Sequence, residues 1–121
     1  MQKYDYGTHS SIRPGTIRLL KLLPGDTQAD VEANLLIRWI REERGSSDET
    51  FLAPEPYEAL SYHWGRDDPN SRLFVKILAE SQSYFIPIRP NLDLALRRLR
   101  HRNQARYLWV DGKFSTSCPA L

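Results

Sequence analysis

The sequence predicts an α/β domain built on a mixed sheet of short strands, with one β-hairpin and one helix–strand unit. Short apolar runs recur along the chain (TIRLLKLL, YEALSYHW, LFVKIL and SYFIPI), the first two bounded by Gly or Pro and the last two joined by Ala79-Glu80-Ser81-Gln82. A single stretch near residue 90 carries clear helical periodicity behind a start signal. It is followed closely by RYLWVD, the pattern of a buried strand, and a helix running straight into such a strand is half of an α/β unit.

Composition bounds the rest. A chain of 121 residues suits one domain. With 40% hydrophobic and 26% charged residues it describes a soluble globular chain rather than a disordered one. The net charge of +2 implies no strong field toward nucleic acid or a membrane. The one cysteine, Cys118, allows no internal disulfide and no zinc site of its own. No apolar run approaches the roughly 20 residues that span a bilayer. The N-terminal MQKYDYGTHSSIRPG lacks the apolar core of a signal peptide. A cytoplasmic protein is expected, with neither nucleic acid nor membrane as partner.

Each element has its own signal. Residues 1–15 are polar and end in Pro14-Gly15, and read as a flexible lead-in. TIRLLKLL at 16–23 is a strand, closed by Pro24-Gly25-Asp26. Segment 31–43 is ambiguous. Val31, Ala33, Leu35, Ile37 and Trp39 alternate like a strand, while Val31, Leu35, Leu36, Trp39 and Ile40 form a helical stripe behind a Thr27/Asp30 capping pair. Residues 45–56 form a loop by composition. YEALSYHW at 57–64 is a strand ended by Gly65, with RDDPNSR as the loop that follows. LFVKIL (73–78) and SYFIPI (83–88) make a hairpin, and Pro87 puts the second strand at an edge or an end. Asn91 is the expected N-cap of the helix, with Asp93 in its first turn. Leu92, Ala95, Leu96 and Leu99 share its apolar face, leaving Arg97, Arg98 and Arg100 largely off it.

Few residues offer chemistry. Asp111 closes the strand at 106–111, and in open α/β sheets ligands gather beyond such carboxyl ends; capping a following turn is an equally good use for it. On the strand at 57–64, Leu60, Tyr62 and Trp64 point to one face, a core set, and Ser61 and His63 to the other. His63 has no nucleophile or ligand partner at useful spacing, so no catalytic residue is assigned. The arginines at 97–106 lack interleaved aromatics and read as a solvated helix face. Asp67, Asp68 and Glu55 do not have the spacing of a metal loop, and no metal is expected. The six glycines are scattered, without a phosphate-cradling loop.

Two of these segments together carry a family pattern. YEALSYHWG followed by IRPNLDLALRRLRHRNQARYLWVD resembles the HET domain of fungal heterokaryon-incompatibility proteins. Tyr57, Ala59, Leu60, Ser61, Tyr62, Trp64 and Gly65 match the first motif. Asn91, Leu92, Ala95, Leu96, Leu99, Arg100, Leu108, Trp109 and Asp111 match the second. TIRLLKLLPGD is similar to the family's opening strand, so the resemblance covers residues 16–111, and by position it favours a strand in segment 31–43. It leaves His63 at a variable position. It implies fungal non-self recognition and programmed cell death signalling by a cytoplasmic interaction module, with protein partners or self-association. Remote similarity of the family to Toll/interleukin-receptor-type domains implies an incomplete flavodoxin-like architecture. The same similarity implies a second reading as an NAD-hydrolysing enzyme with Ser61, Tyr62, Gly65 and Asp111 as the candidate ligand pocket. No cofactor is expected, NAD entering only for a complete domain. Tyr57, Leu60, Trp64, Asn91, Leu96, Leu99 and Trp109 are then structural motif residues. A third reading is a small regulatory protein that binds other proteins.

After Asp111 the chain departs from the family, which continues with a CINQ motif, and reads GKFSTSCPAL instead. Residues 112–121 are therefore expected to be a non-family tail behind a partial, truncated domain. Gly-Lys-Phe is compatible with codons that contain the start of an intron, a reading that transcript sequencing across the gene would test. Loss of later elements would leave apolar sheet surface in need of cover, which is the physical basis for expecting self-association.

Overall fold

The apolar runs become strands of one sheet. The computed structural model describes residues 2–5, 15–26, 28–39, 56–60 and 72–110. Its strands are β1 (Gln2–Lys3), β2 (Thr16–Leu22), β3 (Glu32–Trp39), β4 (Glu58–Leu60), β5 (Phe74–Ala79), β6 (Gln82–Pro87) and β7 (Arg106–Val110). Among the described residues one helix, α1 (Pro90–Leu99), lies between β6 and β7 in the chain. The sheet runs β1-β6-β5-β3-β2-β7-β4. It is mixed: β1/β6, β3/β5 and β4/β7 are parallel, whereas β2/β3, β5/β6 and β2/β7 are antiparallel. The expected α/β mixed sheet with a hairpin and a helix–strand unit is what forms.

Register explains the core. Tyr84, Ile77, Ala33 and Leu22 lie side by side across β6, β5, β3 and β2. A second row joins Leu35, Leu20 and Leu108. Because side chains alternate along a strand, these rows share one face, and it is there that Leu92 and Leu96 of α1 are buried. Val75, Ile86, Ile88, Val31 and Val110 complete the same cluster, with Ala95 and Leu99 packed at its margin. The helix face predicted from periodicity is thus the face that is buried. The opposite face carries fully buried Leu19 together with an edge-to-face pair, Phe74 and Phe85, whose rings are 6.3 Å apart.

Segment 31–43 is a strand over 32–39. Its alternation is realised because β3 is flanked by both β2 and β5, and a helix there could satisfy neither ladder. The hairpin turns on Glu80 and Ser81 alone, whose positive φ values of 52° and 66° give the primed turn geometry that suits strand twist. Pro87, the last residue of its strand, pairs with Phe74 at a position that needs no N–H, and bonding resumes beyond it from Ile88 N–H to Leu73 O at 3.0 Å.

Two expectations need correction. Asn91 is not the N-cap. Pro90 occupies the first helical position, where a fixed φ and an absent N–H cost nothing, and Arg89 becomes the cap residue without a side-chain bond. Asn91 instead accepts a hydrogen bond from its neighbour Leu92 N–H at 3.0 Å. Nor are residues 2–5 of the lead-in loose. Gln2 and Lys3 pair with Tyr84 and Phe85, and Tyr4 is buried edge-on against Tyr84 with ring centroids 6.0 Å apart.

Candidate functional site

The sheet has two ends of different character. At one, β4 and β7 finish level with each other, since they are parallel and Leu60 pairs with Val110. β3 points the same way, because it is antiparallel to β2, which is antiparallel to β7. This is the end toward which the candidate pocket is predicted. Ser61 and Asp111 are the next residues in sequence after the paired Leu60 and Val110, but Ser61, Tyr62, Gly65 and Asp111 lie outside the described residues, as do His63 and Trp64. Among the motif residues that are described, Leu96 is fully buried, and Leu60 and Leu99 pack against the core. Trp109 is half-buried, and Tyr57 is exposed beside β4 rather than in the core.

Sequence reasoning missed one charged residue near this end. Arg18 is fully buried, two positions before Leu20 in β2 and so on the helix-covered face. It engages other groups, as a buried guanidinium must. The signal was its place in TIRLLKL on the same strand face as Leu20 and Leu22, where an inward arginine needs a partner.

The opposite end gathers the connection from β2 to β3, the end of α1 and the start of β7. Here the arginines expected on a solvated face turn inward. Arg97 donates to the Asp93 carboxylate at 3.0 Å, and through Nη1 to the Ala29 carbonyl at 3.0 Å. Arg106 grips both oxygens of Glu58 at 2.8 Å and donates to Leu99 O at 2.9 Å, tying edge strand β4 to the end of the helix. Planar two-point pairing of this kind is what a guanidinium does and an ammonium cannot. Arg100 is buried and donates to the carbonyls of Asp26, Ala29 and Asp30. Arg98, His101 and Arg102 remain exposed. The solvated-face reading holds for these three and fails for Arg97, Arg100 and Arg106, because acceptors distant in sequence take their donors: carbonyls of Asp26, Ala29 and Asp30 for Arg97 and Arg100, and the Glu58 carboxylate for Arg106.

Asp26 organises the connection from within. Its carboxylate accepts hydrogen bonds from Gln28 N–H and Ala29 N–H, both at 2.9 Å. The Gln28 amide, then the Ala29 amide, then the nearby charges of Arg100 and Arg102 hold its pKa below the usual aspartate range. A lowered folded pKa stabilises above the unfolded value of about 4 and loses that contribution as pH falls through the folded pKa. Urea unfolding of the parent chain is therefore expected to show a drop in stability on the acid side of about pH 4. Asp26→Asn should flatten that drop while being slightly less stable at neutral pH. Parallel pH profiles of the two proteins would contradict the assignment.

Among the described residues no group of three or more His, Cys, Asp or Glu side chains is placed to hold a metal ion. No helix among them is long and apolar enough to cross a membrane.

Comparison with known proteins places one segment. Residues 57–113 match the family model of the heterokaryon incompatibility protein (HET). The match takes in β4, the β5–β6 hairpin, α1 and β7. No curated protein and no solved structure matches the chain.

Proposed function

We propose, from the HET-family segment at residues 57–113, that this chain is a signalling or interaction module of fungal non-self recognition whose output is programmed cell death. The module works in the cytoplasm, through protein partners or by self-association. The observation that carries the reading is that both parts of the motif belong to the family match and also join in one structural unit. YEAL supplies β4, NLDLALRRL supplies α1 and RYLWV supplies β7, with Arg106 binding the three together. Induced expression in a filamentous fungus tests it. Cells making the chain are expected to lose viability, whereas cells making Leu96→Asp, which places a charge in the core, are not. Equal survival of cells that demonstrably make the parent chain and of empty-vector cells would sink the reading.

A second reading is favoured by the level, adjacent carboxyl ends of β4 and β7, the kind of place where α/β sheets bind ligands. In it, the remote likeness of the family to Toll/interleukin-receptor-type domains extends to a flavodoxin-like architecture and to hydrolysis of NAD, with Ser61, Tyr62, Gly65 and Asp111 at the pocket. Incubation of the purified chain with NAD, following nicotinamide release, separates the two readings. Release above a heat-treated control supports the enzyme, and its absence leaves the interaction module.

A further inference from the structure

Three main-chain carbonyls of one short connection converge on a single side chain. Arg100 Nη1 donates to Asp30 O at 2.8 Å, and Nη2 donates to Ala29 O at 3.1 Å and to Asp26 O. The plane of the guanidinium lies against Gly25, where a Cβ would come within 3.2 Å of Nη1 and 3.3 Å of Cζ. Any larger residue at position 25 would therefore press on the group. Gly25 N–H in turn donates to His101 O at 3.1 Å, so the residue after Arg100 fixes the floor on which Arg100 rests. Acceptors on the rim, a flat floor without a side chain and 8% exposure of the whole residue together describe a site shaped for a planar cation with several donors.

We propose that the carbonyls of Asp26, Ala29 and Asp30, in the connection between β2 and β3, form a guanidinium-binding site and that Arg100, at the end of α1, is its built-in ligand. Asp26 pre-forms the site by turning the chain through its bonds to Gln28 and Ala29 N–H, which turns the carbonyls of Asp26, Ala29 and Asp30 toward the cation, the Asp26 carbonyl also accepting from Ala29 N–H at 3.3 Å. Arg97, also bound to Ala29 O, closes the outer side. Arg100 is then a positioning residue. It sets the conformation of a connection that lies outside the family match from a helix that lies inside it. The assignment is independent of what the whole chain signals.

Chemical rescue tests this in the full chain. In Arg100→Ala, amide exchange at Gly25, Gln28 and Ala29 is expected to quicken on the order of tenfold as the charge-assisted bonds are lost. Ethylguanidinium, kept well below denaturing concentrations, should slow these amides again and raise the melting temperature. Ethylammonium, with the same charge and no planar fork, should do neither. Unchanged exchange in Arg100→Ala, or equal effects of the two cations, would overturn the proposal. Should Arg100→Ala not fold, Arg100→Lys keeps the stem and the charge. Faster exchange confined to those amides supports the site, and exchange that is unchanged or uniformly faster throughout the chain refutes it.

Discussion

Residues 57–113, expressed without the rest of the chain, are expected to stay unfolded. The segment supplies β4, β5, β6, α1 and β7, yet in the sheet these strands fall into two separate pairs, β6–β5 and β7–β4. The β2–β3 hairpin lies between the pairs and hydrogen-bonds to both, β3 to β5 and β2 to β7. Removing it leaves a two-stranded hairpin and a three-residue parallel pairing, each too small to persist in water. The 10-residue α1 is shorter than the roughly 12–15 residues at which isolated helices become even marginal. It would also lose Leu20, Leu22, Val31 and Ala33 from the surface it packs on. Calorimetry and circular dichroism of the fragment beside the full chain decide the matter. A cooperative melt of 57–113 alone would show that the match is itself the folding unit.

Leu96→Ala is expected to cost about 2–5 kcal/mol, the range for truncating a fully buried leucine. Leu96 has no exposed surface and stands with Leu92 as one of the two buried residues of α1. Its cavity would open between the helix and the β-sheet, where the neighbours are held in register by ladders on both sides and collapse poorly. That loss is comparable to the whole stability of many domains of this size. Leu94, 50% exposed on the same helix, serves as the control, and Leu94→Ala should change stability by no more than about 0.5 kcal/mol. Denaturant midpoints measure both, with an unchanged slope as the check that the transition is still two-state. Similar midpoints for the two variants would mean that α1 is not docked as described.

Local pattern made most of the elements legible. TIRLLKL, a short run closed by Pro24-Gly25-Asp26, forms β2, the LDLALRRL spacing puts Leu92 and Leu96 inward, and RYLWV is β7 to within a residue. Where two periods fit the same residues, as at Val31 to Trp39, only the neighbouring strands could decide, and the resemblance supplied what periodicity did not. Asn91 was misread because cap preference and Pro90 compete for adjacent positions, and the proline's fixed φ won. The inward arginines were illegible for a different reason. The acceptors of Arg100 lie some 70 residues earlier in the chain, and no spacing rule connects them. Of the candidate pocket, the level strand ends before Ser61 and Asp111 are structural, while the residues themselves rest on motif alone.

The strand order also has a consequence for synthesis on the ribosome. β2 and β3 emerge early and can pair at once, but the other edge of β2 must wait for β7, the last strand described, and β3 must wait for β5. β1, the first two-residue strand made, has its partner in β6. Until residues 106–110 leave the exit tunnel, a nascent hairpin carrying Leu19, Leu20 and Leu22 presents an unpaired, apolar strand edge. Long-range pairing of this kind folds slowly. The interval before β7 arrives is when the second edge of β2 is open to pairing with a strand other than its own.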